Sequence, residues 1–362
     1  MTTIGVFVAI FFALLVLRLA YSRACLKNVD VSLSMSAATA TEGDKLVLTE
    51  VIFNRKWLPL PWLAVKFQVD RELEFADHTA ASVSDFYYRN DLFHILMHQK
   101  ITRRLNFTCS KRGYYAIRGL EVTGWDILME KKYIRQYECN ARLTVYPATL
   151  EMHETDALCT LIYGHMRTQY PIYPDPFSFR GIREYAPNDP MKSINFKASA
   201  KAQELMVNVW DFANARQVVL LLDIARYIAL HNEYLEERTI KIIASLAERL
   251  NSQGVPVAFI SNATNSRNTP APASRSQHLR AILESLAHID FSAQETTAFA
   301  DIVDEITLEG KTEPEYWLVS PYYSKDVDAA FSRLKATGAR TVWIMPEPQP
   351  RDADYAEKVV LI

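Results

Sequence analysis

The segment Val218-Val-Leu-Leu-Leu-Asp223 decides how the second half of this chain folds. It is a continuous apolar run that ends in an acid. A half-buried strand alternates apolar and polar residues, whereas a strand that is buried on both faces shows no such alternation. The run therefore predicts a central strand of a parallel sheet that has helices on both faces.

Strand-like and helix-like patterns alternate on the carboxyl side of this run. Apolar residues recur at helical spacing between residues 240 and 250, and Gly254 follows them as a stop signal. Further strands are expected at 255–261, 316–320 and 341–345, further helices at 277–288, 298–307 and 326–337, and a solvated loop at 262–276. Such alternation is typical of an α/β domain with a mostly parallel sheet, which we assign to residues 213–362.

Asp223 stands at the carboxyl end of the first parallel strand, the edge at which open α/β sheets bind their ligands. The segment resembles the start of a von Willebrand factor A domain, whose metal-ion-dependent adhesion site reads Asp-x-Ser-x-Ser. Ala225 and Tyr227 occupy the two serine positions here. Because magnesium needs a near-octahedral set of oxygens, the loss of both hydroxyls makes Asp223 a weak metal candidate. The alternative is that Asp223 caps the following helix or pairs with Arg226.

The first half of the chain, residues 29–147, is predominantly strand-like. The segment Val31-Ser-Leu-Ser-Met35 alternates apolar and polar residues, and a strand pattern resumes at 45–53 after the turn Glu42-Gly43-Asp44. Further strands are expected at 62–69, 101–109, 114–122 and 141–146. Several short strands with turn signals between them predict an antiparallel, immunoglobulin-like β-sandwich, which we assign to residues 28–150.

The amino terminus carries an uncharged apolar run from Ile4 to Leu17. As a helix, residues 4–21 would cover about 27 Å at ~1.5 Å per residue, close to the thickness of a bilayer core. A cleaved signal peptide is the alternative, but it requires positive charge before the run, whereas the cations follow it here, from Arg18 to Lys27. The positive-inside rule then predicts a single-pass membrane anchor, residues 1–27, with the bulk of the chain in the cytoplasm.

A segment between the two predicted domains interleaves charged and turn-forming residues densely. Phe177 to Leu205 reads Phe-Ser-Phe-Arg-Gly-Ile-Arg-Glu-Tyr-Ala-Pro-Asn-Asp-Pro-Met-Lys-Ser-Ile-Asn-Phe-Lys-Ala-Ser-Ala-Lys-Ala-Gln-Glu-Leu. It resembles the central signature of a bacterial family, domain-of-unknown-function family 58, and we assign residues 151–212 to this signature segment. The matching residues are Phe179, Ile182, Arg183, Glu184, Tyr185, Asp189, Ile194, Lys197, Ala198, Ser199, Ala200, Lys201, Glu204 and Leu205, while Asn188, Asn195 and Phe196 replace the family's Gly, Asp and Trp.

The resemblance implies a partner of MoxR-type AAA+ ATPases that acts on membrane or secreted clients. The ATPase would bind the ATP, because this chain has no phosphate-binding loop. Asp189 and Pro190 are expected to open a short helix that extends through Lys201, and 204–212 to form a strand. Partner docking is expected at Arg183, Glu184, Tyr185, Asp189, Lys197, Ser199 and Glu204. The alternative is a structural role, in which Arg183 pairs with Asp189 and Tyr185 packs.

The sequence contains no convincing catalytic constellation. Glu184, Asp189 and Asp223 could serve a hydrolase, but no nucleophile with a neighbouring base is evident. His94 and His98 have i, i+4 spacing without a third metal ligand. We therefore expect an interaction protein that has no cofactor, with a hydrolase or an extracytoplasmic adhesion module as the alternatives.

Composition excludes one class of partner and limits two kinds of site. The net charge is -2, so nucleic-acid binding has no electrostatic basis. The acid-free stretch between Asp91 and Glu121 holds several cations and is expected to be the solvated face of alternating strands. Four widely spaced cysteines predict reduced thiols and no thiolate metal site.

Overall fold

The computed structural model describes residues 2–76, 86–126, 129–169, 179–185, 195–210, 217–224, 232–263, 268–273, 276–291, 298–346 and 359–361. The chain forms two compact units, Met1–Ala148 and Thr149–Ile362. The first unit contains an apolar helix and a β-sandwich, and the second contains a largely parallel sheet with helices. The predicted succession of helix, sandwich and α/β fold is confirmed at this level.

The first unit begins with helix α1 (Thr2–Ala24), which the uninterrupted apolar run forms. Its segment Ile4–Ala24 has a mean hydropathy of 2.5 and is long and apolar enough to cross a membrane. The side chains that are described between Ile4 and Val16 are all exposed. The end of the helix differs, because Tyr21 is fully buried in the core of the sandwich.

Eleven strands follow α1 among the described residues of the first unit. They are β1 (Val29–Met35), β2 (Thr39–Thr41), β3 (Lys45–Asn54), β4 (Leu60–Asp70), β5 (Leu73–Phe75), β6 (Phe86–Ile95), β7 (Lys100–Cys109), β8 (Gly113–Ala116), β9 (Arg118–Trp125), β10 (Lys132–Gln136) and β11 (Arg142–Tyr146). The single strand predicted at 114–122 is two strands, β8 and β9, which belong to different sheets. Strands β2, β5 and β10 were not predicted, and β6 overlaps 92–97, a segment whose pattern fits a strand as well as a helix.

Two four-stranded antiparallel sheets build the sandwich, in the orders β1-β3-β7-β5 and β10-β9-β4-β6. A third small sheet has the order β2-β11-β8, and in it β2 runs parallel to β11. Alternate residues of β3 point inward, among them Leu48 and Ile52, and they meet Leu63 and Val65 of β4 in one core. The period-two pattern in the sequence therefore sets which side chains fill the sandwich.

Within its described ranges, the second unit adds six helices and eight strands. In chain order they are α2 (Met152–Gln169), β12 (Phe179–Glu184), α3 (Phe196–Ala202), β13 (Met206–Trp210), β14 (Val218–Leu222), α4 (Glu233–Ser252), β15 (Val257–Ser261), β16 (Thr269–Ala273), α5 (Ser276–His288), α6 (Phe299–Glu309), β17 (Glu315–Val319), α7 (Lys325–Ala336), β18 (Arg340–Met345) and β19 (Val359–Leu361). The six-stranded sheet has the order β16-β15-β14-β17-β18-β19 and is parallel except for β16.

Strand β14 lies inside this sheet, and all five of its side chains are buried, as its continuous apolar run predicts. Leu220 packs with α2, α4 and α5 on one face, and Leu221 packs with α6 and α7 on the other. The expectation of a loop at 262–276 was wrong, because these residues contain the edge strand β16. Helix α2 lies in a segment for which no secondary structure was predicted from the sequence.

Candidate partner-binding segment and buried acids

The signature segment is built on a two-stranded sheet of β12 and β13 that is separate from the six-stranded sheet. The strands are antiparallel, with Arg183 opposite Val207 and Glu184 opposite Met206. The backbone N–H of Tyr185 donates to the carbonyl of Leu205 at 2.8 Å, which extends the pairing by one step. Val207 is buried, so the face of this small sheet that carries Val207 is packed and not open to solvent.

Helix α3 is fastened to the start of β13. The side chain of Asn195 accepts a hydrogen bond from the N–H of Ala198 at 3.0 Å and so caps the helix. The Ser199 hydroxyl donates to the carbonyl of Asn195 and accepts from the N–H of Met206, both at 2.8 Å. The Ser199 side chain therefore joins helix to strand.

The predicted helix start needs correction. The helix begins at Phe196 with Asn195 as its cap, whereas Asp189 and Pro190 were expected to open it. Asparagine is as good a cap as the aspartate of the family signature, because both present a side-chain oxygen to the first turn. Asp189 itself lies outside the described residues, as does the side chain of Arg183, so their pairing stays a prediction.

The outer side of α3 and the approach to β13 expose apolar and charged groups together. The Phe196 side chain is 76% exposed and Leu205 is 52% exposed. Lys197 and Glu204 are exposed beside them in sequence, as is Glu184 at the end of β12. We call this set the α3 surface, namely Glu184, Phe196, Lys197, Glu204 and Leu205. Tyr185 is half-buried, which fits the packing role expected for it.

Asp223 sits where it was expected, directly after β14, and is buried. Its Oδ1 accepts a hydrogen bond from Nδ2 of Asn262 at 3.2 Å, and Oδ1 of Asn262 accepts from the N–H of Ile224 at 2.9 Å. Asn262 follows β15, so the pair fastens two neighbouring strand ends together. Sequence reasoning missed Asn262, although its position just past a predicted strand was a signal.

The neighbouring strand ends are also tied by polar contacts. The indole N–H of Trp343 donates to the Ser320 hydroxyl at 2.8 Å, and that hydroxyl donates to the carbonyl of Tyr322 at 3.0 Å.

Residues 225–231 lie outside the described part, and so does the proposed partner Arg226. Among the described residues, no three His, Cys, Asp or Glu side chains come together as a metal site.

The sandwich encloses a cluster of charges that sequence reasoning missed. Glu50 of β3 is fully buried and stands opposite Arg103 of β7 in the strand register. Asp91 of β6 forms an ion pair with Arg103 at 2.7 Å, and the buried Arg89 lies 3.4 Å from the same carboxylate. Arg103 therefore contacts an interior acid, whereas it was expected on a solvated basic face.

Glu50 is the unusual member of this cluster. Neither of its carboxylate oxygens has a hydrogen-bond partner among the described residues. Burial, and then the negative charge of Asp91, raise the pKa of Glu50 to about 7, although Arg103 and Arg89 act in the opposite direction. The alternation of β3 was the available signal, because Glu50 shares the inward phase of Leu48 and Ile52.

The histidines and cysteines form no reactive site in the described residues. His94 lies on β6 with its ring against Trp62, at 4.6 Å between centroids, and His98 lies in a turn with its ring against Trp57, at 4.9 Å. The i, i+4 spacing therefore does not produce a pair on a helix. All four cysteines are free thiols, as expected.

No protein-family model and no curated protein matches this chain. Solved structures with related topology cover about a third of it. A CARDB domain from Pyrococcus furiosus is 11% identical, covers 33% of this chain and 90% of its own, and has a TM-score of 0.22. A type II cohesin domain from the cellulosome of Acetivibrio cellulolyticus is 9% identical, covers 33% and 95%, and has a TM-score of 0.25. Likeness at this level carries no argument about function.

Proposed function

We propose that this chain is a membrane-anchored interaction protein, held in the membrane by α1 and facing the cytoplasm. Its sandwich is immunoglobulin-like, and its α/β unit is a degenerate von Willebrand A-like domain. The α3 surface supports this function more than any other feature. Exposed apolar groups as large as Phe196 are costly to leave in water, and an apolar group rimmed by charges is typical of a protein-binding surface.

The partner class follows from the chemistry of this surface and from the resemblance of the segment to domain-of-unknown-function family 58. Lys197 and Glu204 provide charges of both signs around Phe196 and Leu205, which suits a protein surface that is itself mixed in charge. The resemblance identifies that partner as a MoxR-type AAA+ ATPase. In this proposal the ATPase binds and hydrolyses the ATP, and the present chain holds the ATPase at the membrane.

The cytoplasmic orientation rests on the distribution of cations around α1. Arg18, Arg23 and Lys27 lie at the carboxyl end of the helix, and no Lys or Arg precedes Ile4. Loops that are rich in Lys and Arg remain in the cytoplasm. A reporter fused after residue 362 is expected to be active in the cytoplasm.

Binding to a purified MoxR-type ATPase tests the proposed function. We expect Phe196→Ser to weaken binding by ~30-fold, because a central aromatic contact contributes about 2 kcal/mol to an interface. Lys197→Glu should weaken it too, while the melting temperature changes little, since an exposed charge contributes only ~0 to 1 kcal/mol to folding. The matched control is Lys325→Glu, an exposed cation at the start of α7. Equal affinity for all four proteins would contradict the proposal.

A further inference from the structure

Strand registers bring three loops of the sandwich to the end at which α1 enters it. Strand β1 begins beside the end of β3, because Val29 pairs with Asn54. The same end of the sandwich holds the end of β6 beside the start of β4, the start of β7 beside the end of β3, and the end of β9 beside β4. The described residues of three connections, 55–59, 96–99, and 126 with 129–131, therefore all lie there, and we call them the helix-end loops.

The last turns of α1 are part of the sandwich. The fully buried Tyr21 donates its hydroxyl to the carbonyl of Pro59 at 2.7 Å, and Cys25 lies in the same core. Arg18 forms an ion pair at 2.9 Å with Glu130, which belongs to a helix-end loop. Lys56, in another of these loops, donates to the carbonyls of Cys25 and Lys27 at the end of the helix. The end of α1 is thus joined to the sandwich by core packing, and to the loops by hydrogen bonds and an ion pair.

The length of α1 determines how close these loops lie to a bilayer. Residues 4–16, whose described side chains are all exposed, would span about 20 Å at ~1.5 Å per residue. A bilayer core is ~30 Å thick and needs about 20 residues. The apolar span reaches that length only when residues 17–24 are included, and within that stretch Leu17 and Tyr21 contact the sandwich core while Arg18 pairs with a helix-end loop. The loops must therefore lie at the depth of the lipid headgroups.

The side chains of the helix-end loops suit that depth. Trp57 is 77% exposed, Leu96 64%, Met129 52% and Met97 49%. Trp is enriched at the interface between membrane and water, where its ring is half in apolar surroundings. Exposed cations lie around these groups, among them Arg23, Lys27, Lys100, Lys131 and Lys132. The exposed acids nearby, Asp30 and Glu130, are each already paired with an arginine.

We propose that the helix-end loops dock on the bilayer surface, with Trp57, Leu96, Met97 and Met129 inserted among the lipid headgroups and the cations on lipid phosphates. This inference rests on the proposed role of α1 as an anchor. Charge complementarity with anionic lipid and direct continuity with the anchor both identify the occupant as lipid. The sandwich is consequently held against the membrane in one orientation, and it does not swing on a free tether.

Quenching by brominated lipid tests the docking in the full-length chain. Cys139→Ser removes the only half-exposed thiol, and Met97→Cys then carries an environment-sensitive fluorophore. The protein is reconstituted in vesicles of phosphatidylcholine and phosphatidylglycerol whose acyl chains are brominated near the headgroup. Lys45→Cys is the matched control, because Lys45 lies at the other end of β3, about 30 Å from the helix-end loops at ~3.3 Å per residue. Phe7→Cys reports on the anchor itself.

We expect loss of fluorescence at residues 97 and 7, and none at residue 45. Loss at residue 7 alone would overturn the docking of the loops and leave the anchor intact. Loss at none of the three positions would overturn the anchor and the docking together. Equal loss at residues 97 and 45 would also overturn the proposal, because it would mean that the sandwich lies on the membrane without a preferred end.

Discussion

Two regions of this protein expose large apolar side chains, and they differ in the charges around them. The helix-end loops carry Trp57 and Met97 among cations, and the exposed acids near them, Asp30 and Glu130, are already paired with arginines. The α3 surface carries Phe196 and Leu205 with a lysine and glutamates beside them. A phosphate-covered bilayer favours the first arrangement and a protein of mixed charge the second. We therefore propose lipid as the partner of the helix-end loops and a protein as the partner of the α3 surface, because the surrounding charges differ.

The two regions also differ in how they are supported. The helix-end loops are backed by a core that includes the end of α1, whereas α3 is held to β13 by the hydrogen bonds of Asn195 and Ser199. Core contacts contribute more to stability than exposed side chains do. Substitutions behind the loops should thus affect folding strongly, and substitutions on the α3 surface should affect binding alone.

Replacing Tyr21 by alanine should have the largest effect. Tyr21 is fully buried, so its loss should cost ~3 to 5 kcal/mol of the free energy of unfolding. Thermal unfolding in detergent measures the change. The control is Phe12→Ala, which removes an aromatic group of the same helix that is 65% exposed and should leave unfolding unchanged. Equal melting temperatures for both variants would contradict the claim that the core behind the helix-end loops includes the end of α1, because α1 would then not contribute to the folding of the sandwich.

The same contact has a consequence for truncation. Deletion of residues 1–22 removes the apolar run and is expected to release the chain into the soluble fraction. The structure places Tyr21 in the sandwich core, so that deletion also removes a core residue. A truncated chain should begin at Leu17 or before, since Leu17 already packs against the core.

Glu50 should make the stability of the sandwich depend on pH. Its pKa of about 7 in the folded state is above the ordinary value of 4.5, so the folded state favours the neutral acid. This contribution to stability is complete below about pH 4.5 and is lost as the pH rises through about 7. Glu50→Gln should therefore be more stable than the natural chain near about pH 8, by up to ~3 kcal/mol, and equally stable near about pH 5.

Denaturant unfolding at both pH values measures this difference. The control is Glu74→Gln, an exposed glutamate on β5, which should follow the pH profile of the natural chain. The result bears on the comparison between the helix-end loops and the α3 surface. Glu50, Asp91 and Arg103 lie on the strands that carry two of these loops, so they belong to the core that supports them. A Glu50→Gln variant with an unchanged pH profile would show that the buried acid keeps its charge.

Periodicity predicted most of the fold because burial dictates it locally. The run at 218–222 has one stable environment, the inside of a sheet, and the structure places it there. Strand β16 was missed because Thr-Pro-Ala-Pro-Ala resembles a loop, and proline is tolerated in a strand only at an edge, where its missing N–H faces no partner. Sequence alone does not say which strands are edges.

The sites were harder to predict than the fold, because they depend on contacts between distant segments. The helix-end loops join three different pairs of strands, and only the strand registers bring Trp57 near Met97 and Arg18 near Glu130. The charged cluster at Glu50 likewise joins three strands. The signature segment was recognisable because its residues are contiguous. The sequence left Ser199 open between docking and a structural role, and the structure shows its hydroxyl joining α3 to β13.

Photo-crosslinking in intact membranes tests whether the helix-end loops contact lipid and the α3 surface contacts a protein, since the adduct identifies what touches each region. A benzoylphenylalanine is placed at position 57 in one variant and at position 196 in another, two aromatic and exposed positions of the same chain. The account predicts a phospholipid adduct at position 57 and a protein adduct, of the mass of a MoxR-type ATPase, at position 196. A protein adduct at position 57, or only lipid at position 196, would contradict it.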